Sequence, residues 1–120
     1  MSKSVSHTLD VYGDTLHLAT TKAQARRLAR KYEVDPKGIT NAIGSTTTVQ
    51  HSRTVENHIL IWLNLAAINE RPKPDRELID TIAHEAAHAA DYIAERGLND
   101  EARAYLVGWI AGWLWENHLG

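Results

Sequence analysis

Apolar residues alternate at the start of the chain, at Val5, Leu9 and Val11 and again at Leu16 and Leu18, with Gly13-Asp14 between the two runs. Period-two spacing around a turn dipeptide predicts a β-hairpin. The period lengthens after Thr21, where Ala25, Leu28, Ala29 and Tyr32 recur on one side of a helix. GSTTTVQ, residues 44–50, is β-branched and reads as a strand. NHILIWLNL, residues 57–65, is an almost unbroken apolar run and reads as a buried strand. HSRTVE between them predicts a hairpin turn, and the Pro-containing stretch 70–75 a connection.

Residues 74–96, PDRELIDTIAHEAAHAADYIAER, carry the longest helical pattern. Pro74 and Asp75 suit the start and Gly97 the end. At 100° per residue, Leu78, Ile79, Ile82, Ala83, Ala86, Ala89, Ala90 and Ile93 fill an apolar arc. Asp80, His84, His88, Asp91 and Glu95 lie opposite. A last helix runs from Asp100 to about Glu116. The order β-β-α-β-β-α-α predicts one α+β domain over residues 1–120, a small and mostly antiparallel sheet packed on the helices. The strand at 59–65, just before the long helix, is the one expected to present its edge to an extended peptide.

The polar face of the long helix holds the main candidate chemistry, His84-Glu85-Ala86-Ala87-His88. Residues four apart stand about 40° apart around a helix and roughly 6 Å along it. Two imidazoles so placed converge on one metal ion, while the Glu after the first His reaches a water beside it. With seven His in 120 residues, shuffling gives such a motif in about 3% of chains, so the helical context decides in its favour.

A catalytic zinc takes three protein ligands. Asp91, Glu95, Glu101 and Glu116 are the acidic candidates for the third. Glu95 lies about 10 Å beyond His88 along a straight helix. Asp91, one turn past His88, better suits a hydrogen bond to the outer nitrogen of a ligand histidine, and Asp80 is a second such candidate. Glu101 shares a face with Ala104, Tyr105, Gly108 and Gly112. That small-residue strip predicts a close crossing of the two helices, bringing Glu101 to the metal and the Tyr105 hydroxyl to a developing oxyanion. Glu101 is the preferred third ligand and Asp91 the alternative.

HEAAHAADYIAERG followed by DEARAYLVGWIAGW resembles a group of small phage- and prophage-encoded HExxH zinc metallopeptidases. The likeness extends to the hairpin LDVYGDTLHLAT, the TTTV strand and the apolar strand before the motif. More distantly the chain is similar to the gluzincins and to the ImmA/IrrE family, in which a glutamate on a later helix completes the site. The resemblance implies a minimal zincin-like fold, Zn²⁺ as cofactor, His84, His88 and Glu101 as ligands, Glu85 as catalytic base and a peptide or protein as substrate. The link before Glu101 is short, and no separate substrate-binding domain is evident.

Composition narrows the alternatives. Cysteine is absent, so a zinc site must use His and carboxylate. A net charge of −2 gives no general pull toward nucleic acid or anionic membrane. No stretch approaches the roughly 20 apolar residues that cross a bilayer, and the N-terminus lacks an apolar signal core. The expected compartment is the cytoplasm, that of the host if the chain is phage-encoded. Two rival readings stand beside the peptidase. One is a metal-containing protein that binds a host protein without catalysis. The other is a DNA-binding regulator using the Arg-rich segment 22–44, with residues 26–44 as a helix-turn-helix, against which stand Pro36 and Gly38 in its second helix. Trp109, Trp113 and Trp115 predict core packing or an oligomer contact.

Overall fold

The computed structural model describes residues 4–9, 12–33, 39, 42–50, 57–94 and 99–119, with only the backbone for 48–50. Along the chain run β1 (Val5–Leu9), β2 (Asp14–Ala19), α1 (Lys22–Lys31), β3 (Gly44–Gln50), β4 (Asn57–Leu63), a short α2 (Leu65–Asn69), α3 (Pro74–Ala94) and α4 (Asp100–Asn117). The fold is α+β with a four-stranded mixed sheet in the order β1-β2-β4-β3. β1–β2 and β3–β4 pair antiparallel, while β2 and β4 pair parallel, with Leu16 opposite Ile59 and Leu18 opposite Ile61. Gly13, at φ 75°, takes the left-handed backbone that the first turn requires.

The apolar run of β4 has a direct physical reason. It is an interior strand with helices on both faces, so both sets of alternating side chains are buried. Ile59, Ile61 and Leu63 join Leu16 and Leu18 in the core under α3 and α4, with Ala86, Ala89, Ala90, Ile93, Leu106, Ile110 and Leu114. Leu60 and Trp62 join Ala19, Ala25, Leu28, Ala29 and Ile39 in a second core under α1. Since β4 is interior, the free edge beside α3 belongs to β3, which corrects the expectation that β4 would offer it. α1 packs on the sheet face rather than in a helix-turn-helix, whose second helix falls largely outside the described residues, as does the HSRTVE turn.

The α1 side also holds a histidine pair, of which His17 is buried. His17 Nε2 and His58 Nδ1 are 2.9 Å apart, and Ser6 Oγ lies 2.7 Å from His17 Nδ1. Tyr32 stacks on both rings, with centroids 4.3 and 4.1 Å away. Both hydrogen bonds are met when His17 donates to His58 and accepts from Ser6, a state in which both rings are neutral. Burial, then the nearby charges of His58 and Lys31, lower the His17 pKa from 6.5 to about 4. The unfolded chain therefore binds this proton more readily than the folded one. Its contribution is complete above pH 6.5 and is lost as the pH falls toward 4, on the order of 3 kcal/mol in all. Chemical denaturation at a series of pH values is expected to show this loss, and His17→Gln to flatten it; an unchanged pH slope in that variant would exclude His17 as its source.

Candidate metal and catalytic site

α3 is rotated relative to its apolar arc. It buries Thr81 and Glu85 along with Ile82, Ala86, Ala89, Ala90 and Ile93, and leaves Ala83 and Ile79 exposed. The rotation follows from the packing of α3 on both β3 and β4. It turns Glu85 under the free-edge strand while His84 and His88 stay on the solvent side.

The two histidines converge as the spacing requires. Their Nε2 atoms are 3.1 Å apart and the rings meet edge-on at 79°. Two nitrogens bound to one tetrahedral zinc at ordinary bond lengths stand about 3.3 Å apart, so this arrangement fits zinc. Among the described residues, His84, Glu85 and His88 are the one group of three metal-ligating side chains with ligand atoms within 4.8 Å of one another.

Glu85 is only 4% exposed. Thr46 Oγ1, on β3, donates to Glu85 Oε1 at 2.8 Å and lies 3.2 Å from the Glu85 carbonyl oxygen. Gly44, two residues earlier, presents its bare Cα to the same side chain. A Cβ there would stand 3.1 Å from Glu85 Oε2 and 2.7 Å from Thr81 Cγ2. A side chain at position 44 would first displace the Thr81 methyl and would crowd the Glu85 carboxylate. The Tyr92 hydroxyl, at 3.5 Å from the Thr46 carbonyl, adds a longer contact from α3 to the same strand. Ile43, Gly44, Asp80, Thr81, His84 and Glu85 line an open hollow of about 340 Å³. Thr46 and Gly44 were not among the residues the sequence pointed to; a glycine followed by threonines at the start of a strand was the available signal.

The structure does not bring Glu101 and Tyr105 into this group. Both lie on the exposed face of α4, and Tyr105 is 74% exposed. With Ala104, Gly108 and Trp109 they line a separate shallow hollow. The rotation of α4 is set by Leu106, Ile110, Trp113 and Leu114, its buried residues. The expected close crossing through Gly108 and Gly112 is also absent: a Cβ at either would meet no atom within 4 Å. The small residues in the helix-bearing core are instead Ala86, Ala89 and Ala90 of α3.

Asp91 is engaged elsewhere. Its carboxylate accepts a short hydrogen bond from Arg103 Nε, which ties the first turns of α4 to the turn of α3 after His88. That hydrogen bond, with the Arg103 charge, holds the Asp91 carboxyl below the usual carboxylate range. Asp80 pairs with Arg76 at 3.3 Å at the hollow's margin. Neither carboxylate therefore has the histidine as its observed partner. Trp113 belongs to the core, whereas Trp109 and Trp115 are exposed. Among the described residues, no helix is long and apolar enough to cross a membrane. No protein-family model, no curated protein and no solved structure matches the chain.

Proposed function

We propose that the chain is a zinc-dependent metallopeptidase of minimal size. The observation that carries this reading is the pairing of two converging, exposed imidazoles with a buried carboxylate that a hydroxyl from the neighbouring strand holds in place. His84 and His88 would hold the ion through Nε2. Zinc, when bound, supplies the Lewis acidity that makes water a nucleophile near neutral pH and polarises a carbonyl. Glu85 takes the proton from that water and returns it to the leaving amine. Thr46 fixes the Glu85 carboxylate, so little motion is needed at the moment of transfer.

Glu101 lies outside the histidine group in this structure, so it could serve as third ligand only if the first turn of α4, which the Arg103–Asp91 pair ties to the turn after His88, moved toward the motif. Tyr105, so largely exposed, has no part in this reading. The free edge of β3 is suited to an extended peptide, which would add as a further strand and pass alongside His84.

The purified protein is expected to carry about one zinc per chain and to cleave members of a random peptide mixture. A chelator should stop cleavage, and added zinc should restore it. A zinc-loaded protein that cleaves nothing would replace this reading with that of a binding protein. A protein that takes up no zinc would remove it altogether.

A further inference from the structure

α1 carries Lys22, Arg26, Arg27, Arg30 and Lys31, all exposed, and no acidic residue. Among the described residues none of these five cations is in an ion pair; the pairs formed are Arg71–Glu77, Arg76–Asp80 and Arg103–Asp91. Folding accounts for part of the arrangement only: Arg30 and Lys31, in the last turn, suit the helix dipole, and the others do not. Lys22–Arg26, Arg26–Arg30 and Arg27–Lys31 are like-charge pairs at i,i+4, each unfavourable by about 0.2–0.5 kcal/mol. Lys22 also stands in the first turn, where an acidic residue would favour the helix dipole. The start of α1 is stabilised by neutral groups instead: Gln24 N–H donates to Thr21 Oγ1 at 3.2 Å, and Thr20 N–H donates to Gln24 Oε1 at 3.0 Å. A chain with a net charge of −2 thus concentrates five positive charges on one short helix.

The chemistry of this face selects among polyanions. Its uncharged exposed member within the helix is Ala23, so it offers no large apolar group for insertion into a lipid surface. It also offers no free aromatic ring for stacking unpaired bases, since Tyr32 is stacked on His17 and His58. A straight helix of ten residues, about 15 Å long, carrying two rows of cations matches the regular phosphates of a duplex. α1 packs on the sheet face opposite α3, so a duplex held there leaves His84 and His88 open. We propose that the outer face of α1 docks the phosphate backbone of a nucleic-acid duplex, without reading its sequence.

The test is fluorescence anisotropy of a labelled DNA duplex of about 20 base pairs, titrated with the full chain over a series of salt concentrations. Binding is expected near 10⁻⁵ M at about 50 mM salt, with log affinity falling against log salt at a slope of about −3 to −4. Arg26→Gln with Arg30→Gln should weaken binding at least about tenfold and make the slope shallower by about 2. Both side chains are exposed and glutamine keeps helix propensity, so the helix should persist. Lys73→Gln, outside α1, should leave affinity unchanged within about twofold. Absence of binding at low salt, or equal binding by the double variant, overturns the proposal. Equal or tighter binding to vesicles rich in anionic lipid overturns it in favour of a membrane surface. None of these outcomes depends on peptidase activity.

Discussion

Glu85→Gln is expected to retain zinc and fold while lowering peptide hydrolysis by about 10²- to 10⁴-fold, the usual worth of a positioned general base. The two side chains have nearly the same size. The carboxylate is buried against Gly44 and Thr81, where a change of shape would be felt and a change of one atom is not. The amide oxygen of glutamine can still accept the Thr46 hydroxyl, so the strand-to-helix bond survives. What is lost is the ability to take a proton. Steady-state cleavage rates together with zinc content and thermal melting separate these effects. Activity within a few-fold of the parent would remove Glu85 from the role of base, and loss of fold would mean that the buried charge is mainly structural.

His84→Ala combined with His88→Ala is expected to cut zinc affinity by more than about 100-fold, beyond the 10- to 100-fold typical when only an outer partner of a ligand is removed. The same change should alter stability in the absence of metal by no more than about 0.5 kcal/mol. Both rings are exposed, their resolved contact is with each other, and alanine is the better helix former. Isothermal titration with zinc and a melting curve of the metal-free protein give the two numbers. Glu101→Ala belongs in the same series. As a third ligand it should weaken zinc by about tenfold or more; unchanged affinity would assign the third position elsewhere. Zinc retained by the double histidine variant would end the assignment of the metal site.

Much of the fold was legible because period and punctuation agreed with tertiary demand. The hairpin around Gly13, the strand at 44–50 and the helices begun at Pro74 and Asp100 fall where spacing and caps put them. The apolar run of β4 reads as a buried strand, and the structure buries it on both faces. What pattern could not supply was neighbour choice. A run of apolar residues fits an interior strand in any order, so nothing local announced that β4 would lie between β2 and β3 and leave the edge to β3. The rotation of the two long helices escaped for a related reason. α3 is apolar over a broad arc, and its packing on both β3 and β4 turns Glu85 inward and Ile79 and Ala83 outward. α4 is apolar almost all round, so its wheel does not mark an inner face, and Gly108 was assigned to the contact that Leu106 and Ile110 belong to. The histidine pair of the motif was readable because four-residue spacing on one helix needs no partner element. The placing of Glu101 depends on how two helices meet, which local spacing does not fix.

The parallel pairing of β2 with β4 also governs how the molecule is assembled in time. β1 and β2 pair locally, and so do β3 and β4, each pair being close in sequence. Joining the halves requires Leu16 to find Ile59 across the intervening helix and strand, a closure whose chain entropy must be lost before any contact repays it. The platform under α3, made of Leu16 and Leu18 from one half and Ile59, Ile61 and Leu63 from the other, exists only after that closure. Until then the helix bearing both histidines has no complete surface to dock on. Closure of the sheet and completion of the surface that seats His84 and His88 are therefore coupled.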